Sequence, residues 1–240
     1  MPSNLTGVLK HLTTTFTVKD IMTPEKHLVC APDLQTAPAV SAANPDFSVI
    51  PIRSGGVLSG YFERDSRDTR IIEVGDLISD GTNLLDLIGI FEHQAFSFVL
   101  TNRSVAGYVH YSDLNHHVMK WTFYVMLEAV ERLALDSLQP GDESAYLKGK
   151  LKDERFQQVL KSYKRASDNG RSLFTYLNIA DILRLAASER TFHLSEESIT
   201  QMKEVRNWAS HAIADLDPDA AVNKLTVVKH ECLRLLAGAT

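Results

Sequence analysis

The chain has 240 residues, 44% of them hydrophobic, and a formal net charge of −5. That length suits one large core or two small ones, no apolar run nears the roughly 20 residues of a membrane-spanning helix, and residues 1–16 lack the charged, apolar and small-residue order of a secretory leader. The two cysteines, Cys30 and Cys232, stand far apart in apolar segments and read as buried thiols, not as a disulfide framework or a metal site, so a cytoplasmic protein is the simplest expectation.

In chain order, the first half repeats itself. "VKDIMT" at Val18–Thr23 returns as "VGDLIS" at Val74–Ser79, "FSVIPI" at Phe47–Ile52 as "FSFVLT" at Phe96–Thr101, and "LSGYFERD" at Leu58–Asp65 as "VAGYVHYSD" at Val105–Asp113. Each repeat predicts a short leading turn, a helix ("LQTAPAVSAAN" or "TNLLDLIGIFEHQ"), two strands joined by a tight turn ("RSGG" or "TNRS"), and a closing helix. A unit of this size cannot bury its own sheet, so the two are expected to pack about a pseudo-twofold axis.

After Lys120 the strand-like runs stop. "HHVMKWTFYVMLEAVERLALDSL" carries apolar residues at helical spacing, among them Val118, Trp121, Val125, Leu127 and Val130. A turn at Pro140 and Gly141 follows, with Asp142 or Ser144 as a cap, then one basic helical stretch, "YLKGKLKDERFQQVLKSYKRA". A second turn, "DNGRS", leads to a helix with a stripe at Leu173, Leu177, Ile179, Ile182 and Leu185. Ser195 caps the next helix, and "DLDPDAAVNKLTVVKHECLRLLAG" supplies the last. The expectation is an α+β chain: two βαββα-type units over residues 1–120, then an all-α bundle of four or five helices over 121–240.

The N-terminal pattern resembles the CBS (cystathionine β-synthase) domain pair, or Bateman module, over roughly residues 15–120, through "VKDIMTP", "FSVIPI…GGVLSGYFERD", "VGDLIS" and "FSFVLTNRSVAGYVHYSDLN". The resemblance implies a regulatory module that binds an adenine nucleotide (AMP, ADP or ATP) in clefts between strands and helices and tends to dimerise. It also implies a ligand signature after the glycine, G-φ-x-T/S-x-x-D, whose carboxylate accepts both ribose hydroxyls. In the second repeat Gly107, His110, Ser112 and Asp113 fall on it, with His110 where Thr or Ser is usual. In the first repeat Glu63 takes that place and Asp65 arrives one residue early, so one good site is expected, built on Asp113. The competing reading makes Asp113 the N-cap of the following helix.

The helical half carries "MKEVRNWASHAIADL", in which Arg206, Asn207 and His211 form R-N-x-x-x-H. This resembles the HEPN superfamily, whose diagnostic element is R-x(4–6)-H with a polar residue after the Arg. The resemblance implies a composite site across a homodimer and a metal-independent endoribonuclease. The residue types suit that chemistry: a His near neutral pKa moves the protons of 2′-OH attack, and an Arg steadies the charge on phosphoryl oxygens. No group with metal-ligand spacing is evident and no cofactor is required. Lys148, Lys150, Lys152, Arg155, Lys161, Lys164 and Arg165 form a basic run that would hold an RNA backbone or simply face solvent. On an ideal helix Arg206 and His211 sit about 140° apart and do not share a face. The alternative is a non-enzymatic nucleotide sensor whose helical half binds a partner protein.

Overall fold

The computed structural model describes residues 7, 14–138, 140–166, 171–212 and 214–238, the side chains of 218 and 219 excepted. It divides into two compact units: Phe16–Val118, and Met119–Thr240 together with Met1–Thr15. The chain is α+β, with all of its described strands in the first unit.

In that unit the elements run β1 (Thr23–Pro24), α1 (Ala37–Ala43), β2 (Val49–Ser54), β3 (Val57–Glu63), β4 (Asp68–Ile71), β5 (Leu77–Ser79), α2 (Leu84–Phe91), β6 (Phe96–Thr101) and β7 (Ser104–His110). The repeated "V-x-D" segments become equivalent 3-10 turns, Val18–Asp20 and Val74–Asp76. Both close in the same way: the Thr17 amide donates to Asp20 Oδ2 at 2.8 Å and the Glu73 amide to Asp76 Oδ2 at 2.9 Å. Each predicted strand pair forms a hairpin, and "RSGG" turns on Gly55 and Gly56 at φ 59° and 85°, a left-handed pair that only glycine adopts cheaply.

Two sheets result, ordered β1-β7-β6-β5 and β2-β3-β4. They share one plan. Each hairpin has an antiparallel segment on one side (β1 against β7, β4 against β3) and a parallel segment on the other (β5 against β6, Ala31 against Ile52). β1 lies in the first repeat yet joins the sheet of the second, whereas β4 follows β3 directly in the sheet of the first. A glycine marks each close approach. A Cβ at Gly60 would lie 2.6 Å from the Arg70 carbonyl oxygen, and one at Gly107 would lie 2.7 Å from that of Thr23.

The first repeat departs from the βαββα pattern at its end. Where a closing helix is expected, the chain turns at Arg64–Arg67, with Arg67 at φ 57°, and returns as β4. The Arg64 guanidinium instead closes the end of α1, donating to the carbonyls of Ser41, Asn44 and Pro45. Thr69, Ile71 and Ile72 downstream are β-branched and suit extended backbone.

Alternation along the strands sorts two cores. Ile50, Ile52 and Phe62 pack with Ala31 and Ala37 on the α1 side. Val49 and Tyr61 turn the other way and meet Phe98, Phe96 and Tyr108 of the second sheet. There the rings form a chain of edge and tilted contacts: Tyr61–Phe96 at 5.1 Å, Tyr61–Phe98 at 5.6 Å and Phe98–Tyr108 at 5.7 Å.

Beyond residue 116 the described residues form α3 (His117–Ser137), α4 (Glu143–Lys150), α5 (Asp153–Arg165), α6 (Ile179–Ser188), α7 (Glu196–Ser210) and α8 (Pro218–Ala237), six helices where four or five were expected. The extra helix arises because the basic stretch breaks at Leu151–Lys152. The third predicted helix shortens as well: Leu173–Tyr176 form a 3-10 turn, and Asn178 caps α6 by accepting from the Asp181 amide at 3.0 Å. Asp142 and Ser195 cap α4 and α7 as read, accepting from Ala145 and Ser198. The inward face of α3 is Met119, Phe123, Met126, Val130 and Ala134; Trp121, expected on it, is 55% exposed. The predicted turn at 168–172 lies mostly outside the described residues.

Candidate nucleotide site and the Arg206 helix

β7 ends at His110, and the chain enters the 3-10 turn Tyr111–Asn115. The His110 amide donates to Asp113 Oδ2 at 2.8 Å, the same closure that Asp20 and Asp76 make. Asp113 is therefore not the N-cap of the helix that follows. It is the third residue of its own turn, and His110 is the cap. His110 Nδ1 accepts from the Ser112 amide at 3.2 Å and lies 2.8 Å from Ser112 Oγ. An acceptor at Nδ1 leaves the proton of a neutral ring on Nε2, which faces Ser48 Oγ at 3.5 Å. Burial lowers the pKa of His110, which favours that neutral ring. Burial raises the Asp113 carboxyl, and the His110 amide pulls it back down.

Gly107, His110, Ser112 and Asp113 thus share one strand end. Gly107 is explained by backbone packing against Thr23, which accounts for it without a ligand. Asp113 Oδ2 is committed to the backbone, and Oδ1 lies outside that bond. Ser48 and Tyr108 also belong to this corner and were missed. Burial pushes the Tyr108 hydroxyl far up, with Asp113 adding to the shift and a hydrogen bond to Ser48 opposing it. Their signal was present in the repeat, since Ser48 stands in "FSVIPI" beside the hairpin. At the matching place in the first repeat, Glu63 is held by Arg70 at 3.5 Å and by the Ser66 hydroxyl at 3.0 Å.

In the helical unit Arg206 sits four residues before α7 ends at Ser210. Its guanidinium lies 3.9 Å from the Tyr124 ring centre, its Nε is 4.0 Å from Glu131 Oε2, and it donates to Ser210 Oγ. Burial raises the Glu131 carboxyl and Arg206 opposes the rise. Asn207 is exposed. His211 is not helical: α7 ends at Ser210, and His211 is its extended C-cap, exposed, with its amide donating to the Trp208 carbonyl at 3.3 Å. Trp208 is core, 6.1 Å from the Phe123 ring.

Lys120 was not singled out as a site residue in the sequence. Its side chain is 7% exposed, and its Nζ donates to the carbonyls of His211 (3.5 Å), Ala212 (3.2 Å) and Ala214 and to Asp215 Oδ1 (3.1 Å). The Trp208 ring lies 5.8 Å away.

The basic run divides. Arg155 donates to Asp181 Oδ2 through Nη2 at 2.6 Å and Nε at 2.8 Å, and Lys150 pairs with Glu189 at 2.8 Å; both serve packing within the unit. Lys161, Lys164 and Arg165, with Gln157 and Leu160, line an open hollow of about 370 Å³ on α5. Lys148 and Lys152 are exposed. Among the described residues no group of three or more His, Cys, Asp or Glu could hold a metal ion, and no helix is long and apolar enough to cross a membrane.

No protein-family model matches this chain, and no curated protein matches it. Among solved structures, the chain is similar to the CBS domain of a bacterial CNNM/CorC family Mg2+ transporter in complex with ATP, at 16% identity and a TM-score of 0.36, over 46% of this chain and 91% of that one. It is also similar to a hemolysin-like protein containing a CBS domain from Oenococcus oeni PSU, at 11% identity and a TM-score of 0.35, over 47% of this chain and 96% of that one.

Proposed function

We propose that the unit Phe16–Val118 is a CBS-type pair that takes an adenine nucleotide (AMP, ADP or ATP) beside Asp113, and that the chain is a nucleotide-responsive regulatory protein whose helical unit binds a partner. The observation that carries this is the Asp113 corner. A partly buried carboxylate at the end of β7 keeps one oxygen outside its backbone bond, beside a neutral imidazole and the Ser112 hydroxyl. That oxygen suits a ribose diol, since charge-assisted hydrogen bonds are about twice as strong as neutral ones. The duplicated sheet plan and the repeat motifs support the same reading.

Calorimetric titration of the full chain with AMP, ADP and ATP tests it. Asp113→Asn keeps an acceptor for the His110 amide but loses the charge, and is expected to weaken binding about tenfold or more, as for hydrogen bonds to charged groups. Asp76→Asn, in the equivalent turn of the repeat, is expected to leave binding unchanged. Equal affinity for wild type and Asp113→Asn would remove the ribose assignment.

A second reading places a metal-independent endoribonuclease at Arg206, Asn207 and His211 of a homodimer, with Lys148, Lys152, Lys161, Lys164 and Arg165 along the RNA. The exposure of Asn207 and His211 at the end of α7 favours it. The seating of Arg206 against Tyr124 and Glu131 favours the regulatory reading, because that guanidinium already has a π face and a carboxylate. Incubation of a mixed RNA pool with wild type and His211→Ala in EDTA separates the two. The expected result is no His211-dependent cleavage; cleavage by wild type that vanishes in His211→Ala would establish the nuclease.

A further inference from the structure

β4 ends the sheet β2-β3-β4, and all of its residues, Asp68 to Ile71, are exposed. The ladder fixes which of its backbone groups are used. The Ile72 amide donates to the Ser59 carbonyl at 3.2 Å, and in an antiparallel pair the bonded positions recur at every second residue. With Tyr61 opposite Arg70 and Glu63 opposite Asp68, the backbone groups of Asp68 and Arg70 face β3. Those of Thr69 and Ile71 face outward, where the sheet stops. Outward amides and carbonyls of this kind are a template for another strand.

The side chains say which strand fits. Thr69 and Ile71 stand on the sheet face that carries Phe62, and Asp68 and Arg70 on the face that carries Tyr61 and Glu63. Ile71 is 76% exposed, because its cross-strand neighbour is Gly60, which has no side chain to cover it. Charge on an edge strand commonly repels a second copy. β4 instead carries one charge of each sign, two residues apart. Antiparallel pairing of two copies about Thr69 sets Asp68 of each opposite Arg70 of the other, a stabilising cross-strand arrangement. The two Thr69 residues then exchange both of their backbone bonds, and each Ile71 amide meets the Arg67 carbonyl of the second copy. Ile71 gains the Thr69 methyl and the Arg67 stem of that copy as cover.

The other registers fail. Pairing about Asp68 or Arg70 sets like charges face to face. Pairing about Ile71 brings Thr69 against Glu73, whose amide already donates to Asp76 Oδ2 and whose carbonyl already accepts from the Asp76 amide.

We propose that β4 is an interface strand, through which two copies of this chain pair antiparallel about Thr69 and join their β2-β3-β4 sheets into one of six strands. The contact is isologous and closes at two copies. It involves only the unit Phe16–Val118 and is independent of the nucleotide reading. It is weak, with Kd on the order of 10–100 μM, because a short edge pairing with exposed ion pairs buries little area.

Sedimentation of the full chain over about two decades of concentration around that Kd reads the association. Asp68→Arg and Arg70→Asp each turn two opposite-charge pairs into two like-charge pairs, and each is expected to weaken pairing about tenfold or more. An equal mixture of the two variants restores every opposite pair and is expected to form a heterodimer. Thr69→Pro removes an outward amide and none that β3 uses, so it is expected to abolish pairing while the β3 amides stay protected. In wild type, exchange at the Thr69 and Ile71 amides is expected to slow as concentration rises, with Asp68 and Arg70 protected throughout. Wild type that stays monomeric, a dimer that survives Thr69→Pro, or a mixture of the charge variants that stays monomeric overturns the proposal. The wild-type exchange pattern decides alone if the variants do not fold, and dimerisation without slower exchange at Thr69 and Ile71 places the contact elsewhere and overturns it as well.

Discussion

Phe98→Ala is expected to destabilise the N-terminal unit by about 3–5 kcal/mol, the usual cost of truncating a fully enclosed aromatic ring. Phe98 has no solvent exposure and touches both sheets, with Tyr61 of the first repeat on one side and Phe96 and Tyr108 of the second on the other. Removing it empties the seam that lets two small sheets share one core. The effect should be confined. Both tryptophans, Trp121 and Trp208, lie in the helical unit, so their fluorescence follows that unit alone. Denaturant unfolding followed by Trp fluorescence is expected to hold its midpoint, while hydrogen exchange of the β6 and β7 amides moves to much lower denaturant. A common shift of both signals would mean that the units unfold as one, and a shift of neither would mean that the seam is not the core.

Gly107→Ala is expected to cost about 3 kcal/mol, the upper end for overpacking. The added methyl would stand 2.7 Å from the Thr23 carbonyl oxygen and 2.9 Å from Met22 Sδ. The sulfur can swing aside, but the carbonyl belongs to β1 and can retreat only by breaking its pairing with β7. The loss should appear as faster exchange at residues 22–25 and in β7. On the proposed nucleotide reading, this variant is also expected to weaken nucleotide binding, through a displaced strand. The order of effects separates this from a direct ligand role: the change at β1 is expected without nucleotide present. Unchanged exchange at residues 22–25 alongside lost nucleotide binding would assign Gly107 to the ligand instead.

What was legible in the sequence was local. "VKDIMT" and "VGDLIS" look alike because each must form a 3-10 turn closed by its own Asp. The two glycines recur because each hairpin needs one bare Cα for the antiparallel strand beside it. The cap residues Asp142 and Ser195 announced their helices three residues ahead. What stayed hidden depended on distant partners. Nothing near Arg64 says that its guanidinium will close the end of α1, or that β4, not a helix, will follow. Trp121 has the right spacing for a core face, but the stripe on α3 is set by which neighbours pack on it. The pairing of Arg206 with Tyr124 and Glu131, and the end of α7 before His211, decide what "RNWASH" can do. Both are fixed by α3, some eighty residues upstream, whose Lys120 gathers the carbonyls that follow.

The place of β1 in the second sheet has a consequence for how the chain is made. β1 cannot find its neighbour until β7 exists, because Thr23 pairs with Tyr108 and Pro24 with Gly107. At about 5–20 residues per second of synthesis, that leaves the first segment waiting for seconds outside the ribosome. β4 meets β3 almost at once, so the sheet of the first repeat can close early and stand as a template. The second sheet is the late one, and it closes by drawing back a piece of chain made long before. A nascent chain halted after the first repeat would therefore show β2, β3 and β4 paired, with the Val49–Tyr61 face still uncovered and residues 17–24 unattached. Protease would cut it there, and the site would disappear as soon as residue 110 emerged.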